Sequence, residues 1–303
     1  MLARTTTVEK MSAANSNIKP LTEDHERYED VYYNAFYKVA QKDVVLEKVI
    51  QYFDATVMKR LTDVFGGGEE LSLLGVGVGE GPHEFQFLKS LQSHYSSICN
   101  VAVDPNEGML QTFKGRVATL NFDDKSSCHW FTGPLSQFVA ESPLAGNKYN
   151  LISSIHSLYY TGDFETTFTQ LASMMKDKGL MIIVCKNDSL NTKTFHKLTW
   201  LTESTQSNER LSSKNVREFA QSQGYDVTTV DIPVHWDITD VFDDQSDFGN
   251  KLLDFFTQAA YFRQTAPAEL VDDLMSFWRS ISTEDKNGRI VAPAHDEILL
   301  ISK

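Results

Sequence analysis

Gly75, Gly77, Gly79 and Gly81 alternate with other residues in the stretch "LSLLGVGVGEGPHEFQF" (71–87), between an apolar run and an amphipathic one. Bare backbone lets a ligand approach closely and lets the chain take positive φ. On a strand-to-helix turn, such a loop suits a nucleotide-like molecule; the alternative is a tight turn that only packs helix on strand. The spacing narrows the ligand. A dinucleotide fingerprint needs G-x-G-x-x-G, and its third glycine position falls on Glu80 counted from Gly75, or on Pro82 counted from Gly77. No P-loop lysine follows. A pyrophosphate cradle and a nucleoside triphosphate site are both disfavoured.

The stretch "NVAVDP" ends on Asp104. A carboxylate at a strand tip accepts hydrogen bonds from ribose hydroxyls, or else caps the helix that "PNEGML" begins. A nucleoside without phosphates satisfies both the glycine spacing and the acid, and S-adenosylmethionine is the obvious candidate. Methyl transfer from a sulfonium is an in-line displacement that asks mainly for alignment and a dry cavity. Aromatic walls favour a cationic methyl or ammonium. His156 and Tyr160 stand in a position to serve such chemistry, His156 orienting an acceptor by hydrogen bond or taking a proton. A histidine satisfied by backbone at a strand end is the bland alternative. Tyr159 and Tyr160 are adjacent, so on an extended segment only one faces a cavity; Tyr160 is chosen for it and Tyr159 for the core.

Those residues need a frame. Strand candidates are 71–77, 98–104, 128–131, 149–155, 179–185 and 225–232, with helical patterns between them. Such alternation predicts an α/β fold with a parallel sheet. "HDEILLISK" (295–303) adds a last strand. The helical pattern of 28–65 precedes the first strand. Residues 1–20 read as a disordered tail. Residues 21–186, 210–232 and 295–303 read as the cofactor-binding core, and 187–209 and 233–294 as a small substrate-binding cap. In the cap, Leu252, Phe255, Phe256, Ala259 and Phe262 share one helical face, a pattern of core as much as of pocket.

Composition sets outer bounds. The chain has 303 residues and a formal net charge of −13, which disfavours nucleic acid or an anionic membrane surface as partner. No apolar run is long enough to span a bilayer, and the N-terminal segment lacks a secretory apolar core. The expected compartment is the cytoplasm. Cys99, Cys128 and Cys185 read as reduced thiols without disulfide or zinc spacing. No metal is expected.

With these residues in hand, the chain resembles the class I S-adenosylmethionine-dependent methyltransferases, and among them the histamine N-methyltransferase family. "LLGVGVGEGPHEFQFL", "VAVDP", "IHSLYYTGDFETTF", "IPVHWDITDVF" and "KLLDFFTQAAYFRQTAPAEL" carry the likeness, loosely over residues 30–303. The resemblance implies a Rossmann-like seven-stranded sheet whose last strand runs antiparallel between the fifth and sixth. It implies cofactor contacts from Gly75, Gly77, Gly79, Asp104, Ser136 and Ile155. It places His156, Tyr160 and Phe262 at acceptor positions. The family's N-terminal glutamate falls on Val45, with Asp43 and Glu47 on either side. Its C-terminal asparagine falls on Ala294 or His295, a pocket cysteine becomes Asn208, and a two-tryptophan wall is reduced to Phe195. Glu47 and His295 are therefore the acceptor-binding candidates at these altered positions. The cofactor half is kept and the amine-binding half is changed. The implied activity is a small-molecule N-methyltransferase acting as a monomer on an imidazole or amine nitrogen of the histamine type. A cofactor-binding protein without turnover, or a methyltransferase for another amine or a phenol, stands as the alternative.

Overall fold

Leu71, Leu73, Leu74 and Val76 are buried together, as expected of a parallel strand covered on both faces, whose sequence reads as a near-continuous apolar run. The structure, a computed structural model, describes residues 18–66, 70–122, 124–198 and 211–303. Besides the two-residue strands Lys19–Pro20 and Ala259–Ala260, its strands are β1 (Glu70–Val76), β2 (Ser97–Asp104), β3 (Ser127–Thr132), β4 (Tyr149–Ile155), β5 (Met175–Ser189), β6 (Asp226–Ile232), β7 (His235–Asp237), β8 (Thr283–Glu284) and β9 (Ile290–Ser302). Its main helices are α1 (His25–Val31), α2 (Lys42–Tyr52), α3 (Pro82–Leu91), α4 (Glu107–Val117), α5 (Leu135–Glu141), α6 (Phe164–Ser173), α7 (Leu190–Lys197), α8 (Ser213–Ser222), α9 (Asp247–Thr257) and α10 (Ala268–Ile281).

The chain divides into two compact units. One comprises 43–186, 213–232 and 296–303, and the other 1–42, 187–212 and 233–295. In the first, the strand order is β6, β9, β5, β4, β1, β2, β3. β1 runs parallel to both β2 and β4, β2 to β3, and β4 to β5. β9 pairs antiparallel with β6, Ile298 opposite Val230, and lies between β5 and β6 as the resemblance implied. This is the α/β sheet of class I methyltransferases. Aromatic pairs hold its helices: Phe53 stacks on Phe87 at 4.0 Å, and Phe113 meets Trp130 edge-on at 5.1 Å.

The second unit is built on aromatic packing. Phe36 stacks on Phe255 at 3.9 Å, Trp236 on Phe256 at 5.0 Å, and the Trp278 indole N–H donates to Thr194 Oγ1 at 2.8 Å. The start of β9 pairs antiparallel with β7 and with β8, two short strands beyond the seven expected. Residues 21–42, expected with the core, belong to this unit instead. The physical reason lies in their partners: α1 runs into a π-helical turn at Tyr32–Phe36, and Phe36 there packs on α9. Residues 18–20, expected in the tail, are ordered too. Ile18 is buried, and Lys19–Pro20 pairs with Ala259–Ala260. Residues 1–17 lie outside the described residues, as does Asn208.

Candidate active site

β1 ends at Val76, and the chain turns through Gly77 and Gly79 with φ of 64° and 56°. The Gly77 N–H donates to Val103 O at 2.8 Å. Pro82, with φ already fixed, opens α3 at its first position. A side chain at residue 77 has no room: a Cβ there would lie 2.3 Å from Ser157 Cβ. At residue 79 a Cβ would meet only Met109 Sδ at 3.6 Å, so that side of the turn is open. Gly77→Ala is expected to lower stability by about 2–3 kcal/mol, combining a left-handed non-glycine residue with overpacking. Urea denaturation measures it, and adding Ser157→Gly should restore only the overpacking part.

Asp104 closes β2 and is 6% exposed. Its Oδ2 accepts the Gly79 N–H at 2.7 Å and its Oδ1 accepts the Asn106 N–H at 2.8 Å. The carboxylate is thereby tied to the glycine turn. The helix-cap alternative belongs to Asn106, whose side chain accepts from Met109 N at the start of α4.

Under the turn lies a group that the sequence pattern did not reveal. Glu84, in the first turn of α3, is 2% exposed and accepts a hydrogen bond from Ser153 Oγ at 2.9 Å. Burial pushes its carboxyl from 4.5 up to about 7; the Ser153 bond opposes the rise and the Asp104 charge adds to it. A folded-state acid with a raised pKa binds more protons than the unfolded chain, so its contribution to stability is lost as pH rises from the unfolded value through the folded one. Full ionisation removes about 3 kcal/mol. Melting temperature is accordingly expected to fall between about pH 5 and about pH 8. Glu84→Gln should flatten that decline, which a thermal scan across pH tests.

Ile155 is the last residue of β4, and His156 follows with φ 52°. The His156 N–H donates to Val184 O at 2.9 Å, while Nε2 lies 3.4 Å from Asp296 Oδ2 on β9. The next residue, Ser157, packs against Gly77 and donates from Oγ to Val76 O at 2.7 Å. The structure thus gathers Gly75, Gly77, Gly79, Asp104 and the 155–157 segment at the C-terminal ends of β1, β2 and β4. Leu158–Tyr160 forms one 3-10 turn rather than the extended segment expected. Tyr159 is buried, with its hydroxyl accepting from Lys186 N, and Tyr160 is 72% exposed. Ser136 is exposed in the first turn of α5.

The remaining candidates sit on other elements. Glu47 is exposed on α2 and accepts from Gln51 Nε2 at 2.8 Å, while Val45 faces the core. Phe262 and Phe195 are fully buried in the second unit, as is nearly all of Ala294. His295 sets its ring edge-on to His235 at 5.3 Å in that same unit. The sequence reading passed over Glu84, Ser157 and Asp296. Only Asp296 left a local signal, an acid at the head of an apolar strand pattern. Burial pushes the Cys185 thiol up to about 12. Among the described residues, no group of His, Cys, Asp and Glu is arranged to hold a metal ion, and no helix is long and apolar enough to cross a membrane.

Sheet order, antiparallel final strand, glycine turn and strand-tip acid together define the class I methyltransferase architecture. The chain belongs to the methyltransferase domain family, whose profile matches residues 48–230. It is similar to histamine N-methyltransferase of Danio rerio, 26% identical over 292 residues, covering 93% of this chain and 98% of that one. It is also similar to carnosine N-methyltransferase 2 of Gallus gallus, 24% identical over 246 residues, covering 79% and 76%. Among solved structures, the plantazolicin methyltransferase BpumL in complex with SAH shares the fold, with a TM-score of 0.50 at 11% identity, covering 99% and 98%.

Proposed function

We propose that the protein is an S-adenosylmethionine-dependent N-methyltransferase for a small imidazole- or amine-bearing acceptor of the histamine type. The observation that carries this reading is the Asp104 carboxylate bound to the N–H of Gly79, beside a turn whose open side a Cβ at residue 79 would fill. The residues fit the cofactor. Each Asp104 oxygen accepts one backbone hydrogen bond and keeps a second acceptor position for a ribose hydroxyl. Gly79 leaves backbone open to a ligand, Gly77 lets the turn close against Ser157, and the turn bears no lysine for a phosphate. Ile155 is proposed to lie beside the adenine, and Ser136 to contact the cofactor.

When bound, the cofactor supplies an electrophilic methyl on a cationic sulfur. The chain's own part is to hold the acceptor in line and to keep water out, effects worth up to about 7–11 kcal/mol of barrier. His156 and Tyr160 are the acceptor contacts that this reading assigns in the sheet unit. The relatives named for histamine and for carnosine support an imidazole-bearing acceptor, while the altered residues Val45 and Ala294 support a shifted one.

Calorimetry with S-adenosylmethionine tests the cofactor, and radiolabelled methyl transfer over histamine, carnosine, aliphatic amines and phenols tests the acceptor. Saturable binding with transfer to an imidazole is expected. Binding without transfer to any of them would favour a methyltransferase-fold binding protein, and absence of binding would remove the enzyme reading.

A further inference from the structure

We infer that His156 and Asp296 form a proton-accepting pair, in which Asp296 fixes the imidazole tautomer and His156 Nδ1 takes the proton that the methylated acceptor sheds. The inference rests on the methyltransferase reading above and assigns a task that the cofactor-binding residues leave open. Three observations carry it. The first is the 3.4 Å approach of Nε2 to Asp296 Oδ2, between a ring with a 32% exposed side chain and a carboxylate with an 8% exposed one. That separation is long for a hydrogen bond, as catalytic contacts are before a ligand enters. The second is the backbone of His156, at φ 52°. A non-glycine residue stays left-handed only where its surroundings enforce it, and such residues cluster at functional sites. The third is location: the neighbouring Ser157 lies against Gly77, at the turn assigned to the methyl donor.

The surroundings suit one direction of proton flow. An Nε2–H donated to a carboxylate leaves the lone pair on Nδ1, which has no hydrogen-bond partner among the described residues. The near-parallel Tyr159 ring stands 6.5 Å from the imidazole, and Lys186 Nζ lies 5.5 Å from the Tyr159 ring centroid. Glu297, beside Asp296 in β9, is neutralised by Arg217 at 3.1 Å. Cys185, close to Asp296 and Glu297, stays protonated because burial pushes its thiol up to about 12. Asp296 Oδ2 is the carboxylate oxygen that approaches the His156 ring.

The step balances simply. The acceptor nitrogen's lone pair forms the N–C bond while the C–S bond breaks with its pair to sulfur, leaving a neutral thioether. For an imidazole acceptor the attacking nitrogen carries no hydrogen, so the methylated ring, now an imidazolium, gives the N–H proton of its other nitrogen to Nδ1, and the part-exposed His156 ring passes it to water. Aliphatic ammonium groups hold their proton about four pH units more tightly than an imidazolium does, so an imidazole acceptor sheds its proton the more readily.

Nitrogen-15 NMR of the imidazoles tests the pair without any acceptor. Neutral His156 is expected as the Nε2–H tautomer in the wild type and as a mixture in Asp296→Asn. A ring indifferent to Asp296→Asn, or an Nδ1–H tautomer in the wild type, would overturn the inference. In methyl transfer to histamine or carnosine, His156→Gln is expected to lower kcat by roughly 10²- to 10⁴-fold and to abolish its rise with pH, with the Kd for S-adenosylmethionine unchanged. His156→Asn, whose side chain tolerates a left-handed backbone, guards against misfolding as the cause. A retained kcat and pH profile in both variants would sink the pair alone. A wild-type protein that does not bind S-adenosylmethionine would sink the methyltransferase reading, and this inference with it.

Discussion

Replacing Asp104 with alanine is expected to weaken S-adenosylmethionine binding by roughly 100- to 1000-fold in a titration calorimeter, a loss of about 3–4 kcal/mol. The carboxylate has two tasks. Its oxygens hold the N–H groups of Gly79 and Asn106 at 2.7 and 2.8 Å, and so set the glycine turn against the tip of β2. The proposed second task is to accept the ribose hydroxyls, and hydrogen bonds to a charged group contribute about 1.5–3 kcal/mol each. Alanine removes both tasks and leaves two backbone donors near the core unpaired. Asp104→Asn separates them, since its single carbonyl oxygen can keep one backbone bond while the charge is gone. It is expected to bind more weakly than wild type and more tightly than the alanine variant. An unchanged Kd in Asp104→Ala would mean that no ligand sugar meets this residue.

Arg27→Ala is expected to have the largest effect on stability, about 3–5 kcal/mol, because it strands a buried carboxylate. Asp254 is 1% exposed. Its oxygens accept from Arg27 Nε at 2.8 Å and from the N–H groups of Tyr261 and Phe262 at 2.9 and 2.8 Å. Tyr261 there is left-handed at φ 53° and the Arg27 guanidinium lies 4.7 Å from its ring centroid. One arginine thereby holds the turn after α9 in a conformation that its own residues disfavour. Burial still keeps the Asp254 carboxyl above its ordinary range, with Arg27 the strongest opposing influence. Without Arg27 the carboxyl rises further, so the variant should be least destabilised in acid and most destabilised above neutrality. Denaturant melts at acid and alkaline pH check both size and slope. Pairing the change with Asp254→Leu should recover part of the loss.

These two sites also mark what could be read from the residues alone. Asp104 was legible because a buried apolar strand that ends on an acid before Pro105 leaves few other uses for the charge. The strands were legible for a related reason: parallel strands covered on both faces are written as apolar runs such as "LMIIVC". The Arg27–Asp254 pair was not legible, nor was His156 with Asp296, because each joins residues distant in sequence and no local period records the meeting. Glu84 sits in an amphipathic pattern that gives every polar residue to solvent, and only the packing of α3 under the glycine turn buries it. The helix around Tyr32–Phe36 defeats a uniform 3.6-residue period, since a π-helical turn shifts the apolar face by one residue. That shift helps explain why 21–42 looked like core of the sheet unit. β7 and β8 are too short to show any period at all.

The place of β9 between β5 and β6 governs the order of assembly. β4 and β5 are near neighbours in the chain and can zip early, whereas β9 must find partners at 226–232 and 175–189 across long intervening loops. Closing loops of that length before any contact rewards them is the slow part of building such a sheet. Until it happens, β5 and β6 each keep unpaired the edge that β9 will cover, a template for another chain. Refolding at high concentration is therefore a race between the late strand and intermolecular aggregation.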